Sequence, residues 1–157
     1  MKGAAALALC VAAGAAAAGW SAATPAEIAG VSNPARARQH WILQCQGCHR
    51  PDASGTPATT PAMAGIIGKF LSVPGGREYL AQVPGVATAA LSDADLAEVL
   101  NWTLARFDPA HVPADFRPYT AAEMAALRKN VLRVEAARVR ARLAAGFASD
   151  GDRALQK

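Results

Sequence analysis

Two thiols and an imidazole stand together at Cys45-Gln46-Gly47-Cys48-His49, a spacing that admits three chemistries. In an exported chain a Cys-x-x-Cys-His run is the attachment pattern of a covalent haem: each thiol adds to a porphyrin vinyl group, and the adjacent histidine takes the iron from one side. A structural zinc site wants four ligands, usually as two pairs, whereas the chain has three cysteines and the third, Cys10, lies far upstream. A thioredoxin-type redox pair follows a strand in a βαβ pattern, whereas the residues before Cys45 read as a helix and no βαβ alternation follows. The motif is therefore read as holding one covalent haem c through Cys45 and Cys48, with His49 as the proximal iron ligand.

Several helices must position this motif. Asn33 followed by Pro34 is a helix start, Asn as N-cap and Pro in the first turn, and the segment 35–44 runs into Cys45. Trp41 lies four residues before Cys45 with Ala37 one turn earlier on the same face, so a small residue beside a large aromatic lets a second helix cross closely. That second helix is expected over 92–107. Ser92 with Asp95 makes a capping-box-like start, Asp93 and Asp95 suit the positive end of the dipole, and Pro109 ends it. Leu96, Val99, Leu100, Thr103 and Phe107 form its apolar stripe, with Trp102 beside it. These are core residues.

A Pro/Gly-rich loop over 50–61 separates the motif from short helical pieces near 64–71 and 77–82, with a turn at Pro74-Gly75-Gly76 between them. A loop this long is uncommon unless it wraps a ligand. Strand patterns are absent, so the expected fold class is all-α.

The flanks set address and partners. Lys2, the small-apolar run 4–18 and recurring small residues near Ala23 mark 1–23 as a secretory signal peptide. The run is shorter than the ~20 apolar residues that span a bilayer. The expected division is 1–23 leader, 24–32 lead-in, 33–109 haem domain and 110–157 strap and basic helical extension. Removing the leader takes Cys10 with it, and both remaining cysteines belong to the motif, so the exported chain has no structural disulfide. Beyond Pro109, 110–118 reads as a strap. Thr120 with Glu123 opens another capping box, Met124, Leu127 and Val131 follow on one face, and Leu132, Ala136, Val139 and Leu143 keep helical spacing. Arg133, Arg138, Arg140 and Arg142 occupy other faces. This tail is expected to pack on the domain or to dock an acidic partner, with membrane-surface contact through 120–145 as a further use. The net charge of +4 is mild, and no basic block interleaved with aromatics suggests nucleic acid.

A helix entering Cys-x-x-Cys-His, a Pro-rich loop, short middle helices and a final helix with an aromatic resemble the class I c-type cytochromes over 34–107. The resemblance implies that Pro61, twelve residues after His49, places its carbonyl against the other imidazole nitrogen, fixing the tautomer and strengthening the iron ligand. It also implies a methionine on the far side of the iron, in the loop before the last helix. Here that loop, 83–91, holds none, and Val83 or Val86 stands in its place. The distal position is left open or water-bound, with Met63, whose expected role is packing, then His111 and Met124 as other candidates. His40, beside Trp41, reads as a surface residue. Peroxide cleavage wants a distal His and Arg, and 83–91 offers neither. The implied function is periplasmic one-electron transfer between redox proteins, with no substrate changed by the chain itself. The alternatives are a five-coordinate haem protein that binds a diatomic ligand or has weak peroxidatic activity, and a haem subunit of a larger oxidoreductase.

Overall fold

The structure is a computed structural model, described over residues 27–147; the expected leader, Cys10 and the first residues of the lead-in lie outside the described residues. Helix α1 (Pro34–Gln44) starts where its cap directs. The Asn33 side chain accepts the Arg36 N–H at 3.0 Å, and Pro34 sits in the first turn. Helix α5 (Asp93–Phe107) is capped by Ser92, whose hydroxyl accepts the Asp95 N–H at 3.1 Å. The two helices pack together with Ala37 and Trp41 as the buried residues of α1. The Trp41 ring centroid lies 4.6 Å from that of Phe107 and 6.2 Å from that of Trp102. Such pairs add about 0.5–1.5 kcal/mol beyond their buried area.

Between them come α2 (Gln46–His49), a 3₁₀ turn (Ile67–Ser72), α3 (Gly76–Gln82) and α4 (Pro84–Ala87). Helix α4 falls in the segment expected to be loop, because Pro84 at its first position pre-sets the helical φ. No strand occurs among the described residues; an isolated bridge joins Thr56 and Thr60. The fold is all-α.

After a 3₁₀ turn (Pro109–His111) the strap leads to α6 (Ala121–Leu127) and α7 (Ala136–Ala144). Helix α6 packs on α5, with Met124 fully buried and Tyr119 at 3% exposure. In consequence α5 is buried all round from Leu96 to Leu104, not along one stripe. This encloses polar groups that need partners. Asn101 donates to the carbonyls of Gly30 (3.1 Å) and Tyr119 (3.0 Å) and accepts the Tyr119 N–H at 2.8 Å, stapling lead-in, α5 and strap together. Gly30 has φ +73°, and a Cβ there would stand 2.5 Å from the Asn101 amide nitrogen.

Thr120 caps α6 as expected, accepting the Glu123 N–H at 3.2 Å. Glu123 does not close the box. Its carboxylate forms a two-bond fork with Arg77 of α3 at 2.6 and 2.8 Å, and that fork holds its pKa below the usual carboxylate range. The Arg77 guanidinium also lies 4.1 Å over the Tyr119 ring. Helix α7 packs on α3 through buried Leu143. Arg140 stands 5.9 Å over the Phe70 ring and is therefore part of the packing, in contrast to the solvent face expected of it. No helix among the described residues is long and apolar enough to cross a membrane.

Candidate functional site

The C-terminus of α1 delivers Cys45, whose N–H bonds the Trp41 carbonyl at 2.9 Å. The chain then makes one more turn, α2, closed by His49 N–H to Cys45 O (3.0 Å) and Arg50 N–H to Gln46 O (2.7 Å). Arg50, at φ 65°, ends it at once, a left-handed conformation uncommon outside glycine. The carbonyls this turn leaves over are taken by the loop that follows. The Gly55 N–H bonds His49 O at 3.0 Å and the Thr56 hydroxyl bonds Cys48 O at 3.1 Å.

That loop doubles back to bring Pro61 beside the motif. Ala53 is fully buried, and its carbonyl accepts both the Met63 and Ala64 N–H groups at 2.9 and 3.2 Å. Gly55 has φ +73°, and a Cβ there would lie 2.4 Å from the Thr60 oxygen and 2.7 Å from the Pro61 carbonyl carbon. Gly55→Ala is therefore expected to destabilise the protein by about 2 kcal/mol and to shift the His49 ring resonances as Pro61 is pushed away. Resonances unmoved by the change would show that the strain is absorbed elsewhere.

His49 is half-buried, its ring centroid 6.2 Å from that of Trp41. Burial lowers the imidazole pKa and the Pro61 carbonyl opposes it; the net direction is down. Nδ1 is shut off from solvent yet forms no hydrogen bond of ordinary geometry, so the Pro61 carbonyl acts on it by proximity and not through a formed bond. The neutral imidazole thus favoured is the form that ligates metals. The Trp41 indole N–H is likewise buried without a partner among the described residues.

Cys45 and Cys48 are free thiols, the first partly buried and the second exposed. Burial pushes the Cys45 thiol up to about 11. A redox pair works through a thiolate of lowered pKa, so the thioredoxin-like reading loses its chemistry. Nor do three His, Cys, Asp or Glu side chains converge on one point among the described residues, which leaves a zinc ion without ligands. Two unbonded thiols one helical turn apart, a neutral imidazole beside them and orphaned polar atoms on His49 and Trp41 fit a covalently tethered porphyrin. Haem c held there supplies one-electron iron chemistry.

The remaining candidate ligands divide. Met124 is fully buried at the packed side of α6. His111 Nδ1 lies 2.6 Å from Asp108 Oδ1, while Asp108 Oδ2 accepts the Gly68 N–H at 2.7 Å, so this histidine braces the end of α5 against the 3₁₀ turn. Met63 is half-buried at the edge of the core. His40 is not a free surface residue. Its Nε2 is buried 3.5 Å from Asp95 Oδ1 without forming a hydrogen bond. Sequence reasoning missed Trp41 as a neighbour of His49 and Gly55 as the residue that lets Pro61 approach. The glycine six residues after His49 was a visible signal for the second.

No protein-family model matches the chain, and no solved structure matches it. Among curated proteins, cytochrome c-552 of Thermus thermophilus is 33% identical over 107 residues, covering 57% of this chain and 82% of that protein. A second cytochrome c-552, from another strain of the same organism, is also 33% identical over 107 residues, covering 57% of this chain and 72% of that protein. A third of the residues shared along most of a cytochrome, together with paired thiols and an imidazole in one helical turn, place the chain among the c-type cytochromes, the family to which it belongs.

Proposed function

We propose that this chain is a class I-type electron carrier of the periplasm, exported by its 1–23 leader, that moves single electrons on one haem c attached through Cys45 and Cys48. The carrying observation is the helical turn that sets two free thiols beside a neutral imidazole facing the Pro61 carbonyl. His49 is the proximal ligand. By resemblance, residues 83–91 wall the opposite side of the haem. That segment is apolar apart from Thr88, which supports electron carriage over peroxide cleavage.

The exported protein is expected to carry one porphyrin that survives acid–acetone extraction, and the Cys45→Ala/Cys48→Ala double variant to carry none. An extractable porphyrin, or none at all, overturns the proposal. Carbon monoxide that shifts the reduced spectrum at once would favour the second reading, an open iron that binds diatomic ligands, which the lack of a ligating side chain in 83–91 supports.

The partner is a redox protein with an acidic face. Lys129, Arg133, Arg138 and Arg142 are exposed, and none has an ion pair among the described residues. Arg138 and Arg142 share one face of α7, where like charges cost about 0.2–0.5 kcal/mol. Leu143 of α7 is buried in the domain and is not available for insertion into a bilayer. Charge reversal as Arg138→Glu/Arg142→Glu is expected to slow electron exchange with an acidic redox protein about tenfold at low salt and little at high salt. A rate that ignores both changes places the docking face elsewhere.

A further inference from the structure

Residues 84–91 are poorly held by their own chemistry. Helix α4 is four residues long, too short to be stable alone. Gly85, Ala87, Ala89 and Ala90 offer little side chain to anchor. The backbone bonds of the segment are local, such as Ala87 N–H to Val83 O and Ala89 N–H to Val86 O, and the Thr88 hydroxyl returns to Pro84 O at 2.7 Å. Among the described residues, one side chain reaches it from another element. Arg128, the residue after α6, donates Nε to Ala87 O (3.0 Å), Nη2 to Ala89 O (2.6 Å) and Nη1 to Leu91 O (3.0 Å), and the same Nη1 meets Asp93 Oδ1 at 3.0 Å.

Three alternate carbonyls in a row thus face one guanidinium that is only 20% exposed. The rigid fork of arginine spans such a set; a lysine ammonium is a single point and does not. The hinge of this contact is secured as well. Met124 is fully buried one turn before Arg128, the Arg128 N–H bonds the Met124 carbonyl at 3.0 Å, and the Leu132 N–H bonds Gln82 O at 2.9 Å just ahead of the clasped segment.

We propose that Arg128 is a latch by which the C-terminal extension holds residues 84–91 closed, and that the latch sets how readily an external ligand reaches the iron from the side away from His49. This rests on the reading above that 83–91 walls that side. Arg128 is a positioning residue; it acts through the backbone it clasps.

The test uses the full-length, haem-loaded ferric protein as wild type, Arg128→Gln, Arg128→Lys and the milder Asp93→Asn. Two quantities are measured: amide hydrogen exchange of residues 85–91 against that of 97–103 in α5, and the association rate of cyanide followed in the Soret band. Arg128→Gln is expected to speed exchange of 85–91 at least about tenfold while 97–103 stay protected, and to raise the cyanide rate by a similar factor. Arg128→Lys falls between, and Asp93→Asn, which leaves the three carbonyl bonds, changes both by less than about threefold. Unchanged exchange in 85–91 overturns the latch. An equal rise in 97–103 also overturns it, since the arginine then serves global stability. Faster exchange with an unaltered cyanide rate overturns the control of access and assigns the failure to the wall reading, not to the clasp.

Discussion

A chain ended after Asp108 is expected not to fold, although every residue of the haem-attachment motif would remain. Truncation there removes Tyr119, Met124 and Leu143, all members of the central core. Full burial of an apolar side chain of this size contributes about 1.5–3 kcal/mol each. It also strips Asn101 of both its bonds to Tyr119, and a buried amide left unsatisfied costs about 1–3 kcal/mol more. Arg77 loses the Glu123 fork, and the second face of α5 is opened to water. The total rivals the 5–15 kcal/mol that holds a typical domain together. Circular dichroism and thermal unfolding check this directly: the shortened chain should show no cooperative transition. A chain ended after residue 132 keeps Tyr119, Met124 and Arg128 and should melt cooperatively, at a temperature lowered by the loss of Leu143 and Phe147. A cooperative transition in the shorter chain within a few degrees of full length would mean that the extension is an appendage after all.

What the sequence reveals about this protein is what lies close together along it. The starts of α1, α5 and α6 are legible because a cap and its recipient N–H are two or three residues apart, as in Asn33 with Arg36 or Thr120 with Glu123. The motif is legible because its chemistry dictates its spacing. The side chains that lock the tertiary arrangement are another matter. Arg128 is one of a series of basic residues in the tail, and nothing local distinguishes it from exposed Arg133; its carbonyl partners lie 37 to 41 residues upstream. Glu123 reads as half of a capping box until Arg77, 46 residues away, competes for its carboxylate. The all-round burial of α5 is hidden for the same reason. The weakly apolar stretch 121–127, rich in alanine, gives little sign that it will cover a second face.

Glu98 carries the largest pH dependence of the fold. Its carboxylate, 5% exposed, receives five hydrogen bonds. Oε1 accepts from the Ser32 N–H (2.7 Å), the Ser32 hydroxyl (2.6 Å) and the Asn33 N–H (3.0 Å), and Oε2 accepts from Arg36 Nε (3.2 Å) and Nη2 (2.8 Å). Burial pushes its pKa up, but the bonds from Ser32, Arg36 and Asn33 outweigh it and hold the group at about 2, against 4.5 for a free glutamate. Because the folded value is the lower one, the ionised form stabilises the native state above pH 4.5, and that contribution is lost as pH falls from 4.5 through 2. It amounts to about 3 kcal/mol. Glu98→Gln turns an amide NH₂ toward donors that need an acceptor and leaves the Arg36 guanidinium without its buried counter-charge, so a loss of about 3 kcal/mol is expected at neutral pH. Urea unfolding at several pH values separates this from a packing defect. The gap between wild type and variant should be constant from pH 7 to about 5, narrow below 4.5 and nearly vanish near pH 2. A gap that stays the same at every pH would show that shape, not charge, is what the position requires, and that the lead-in is held to α5 by contacts other than this carboxylate.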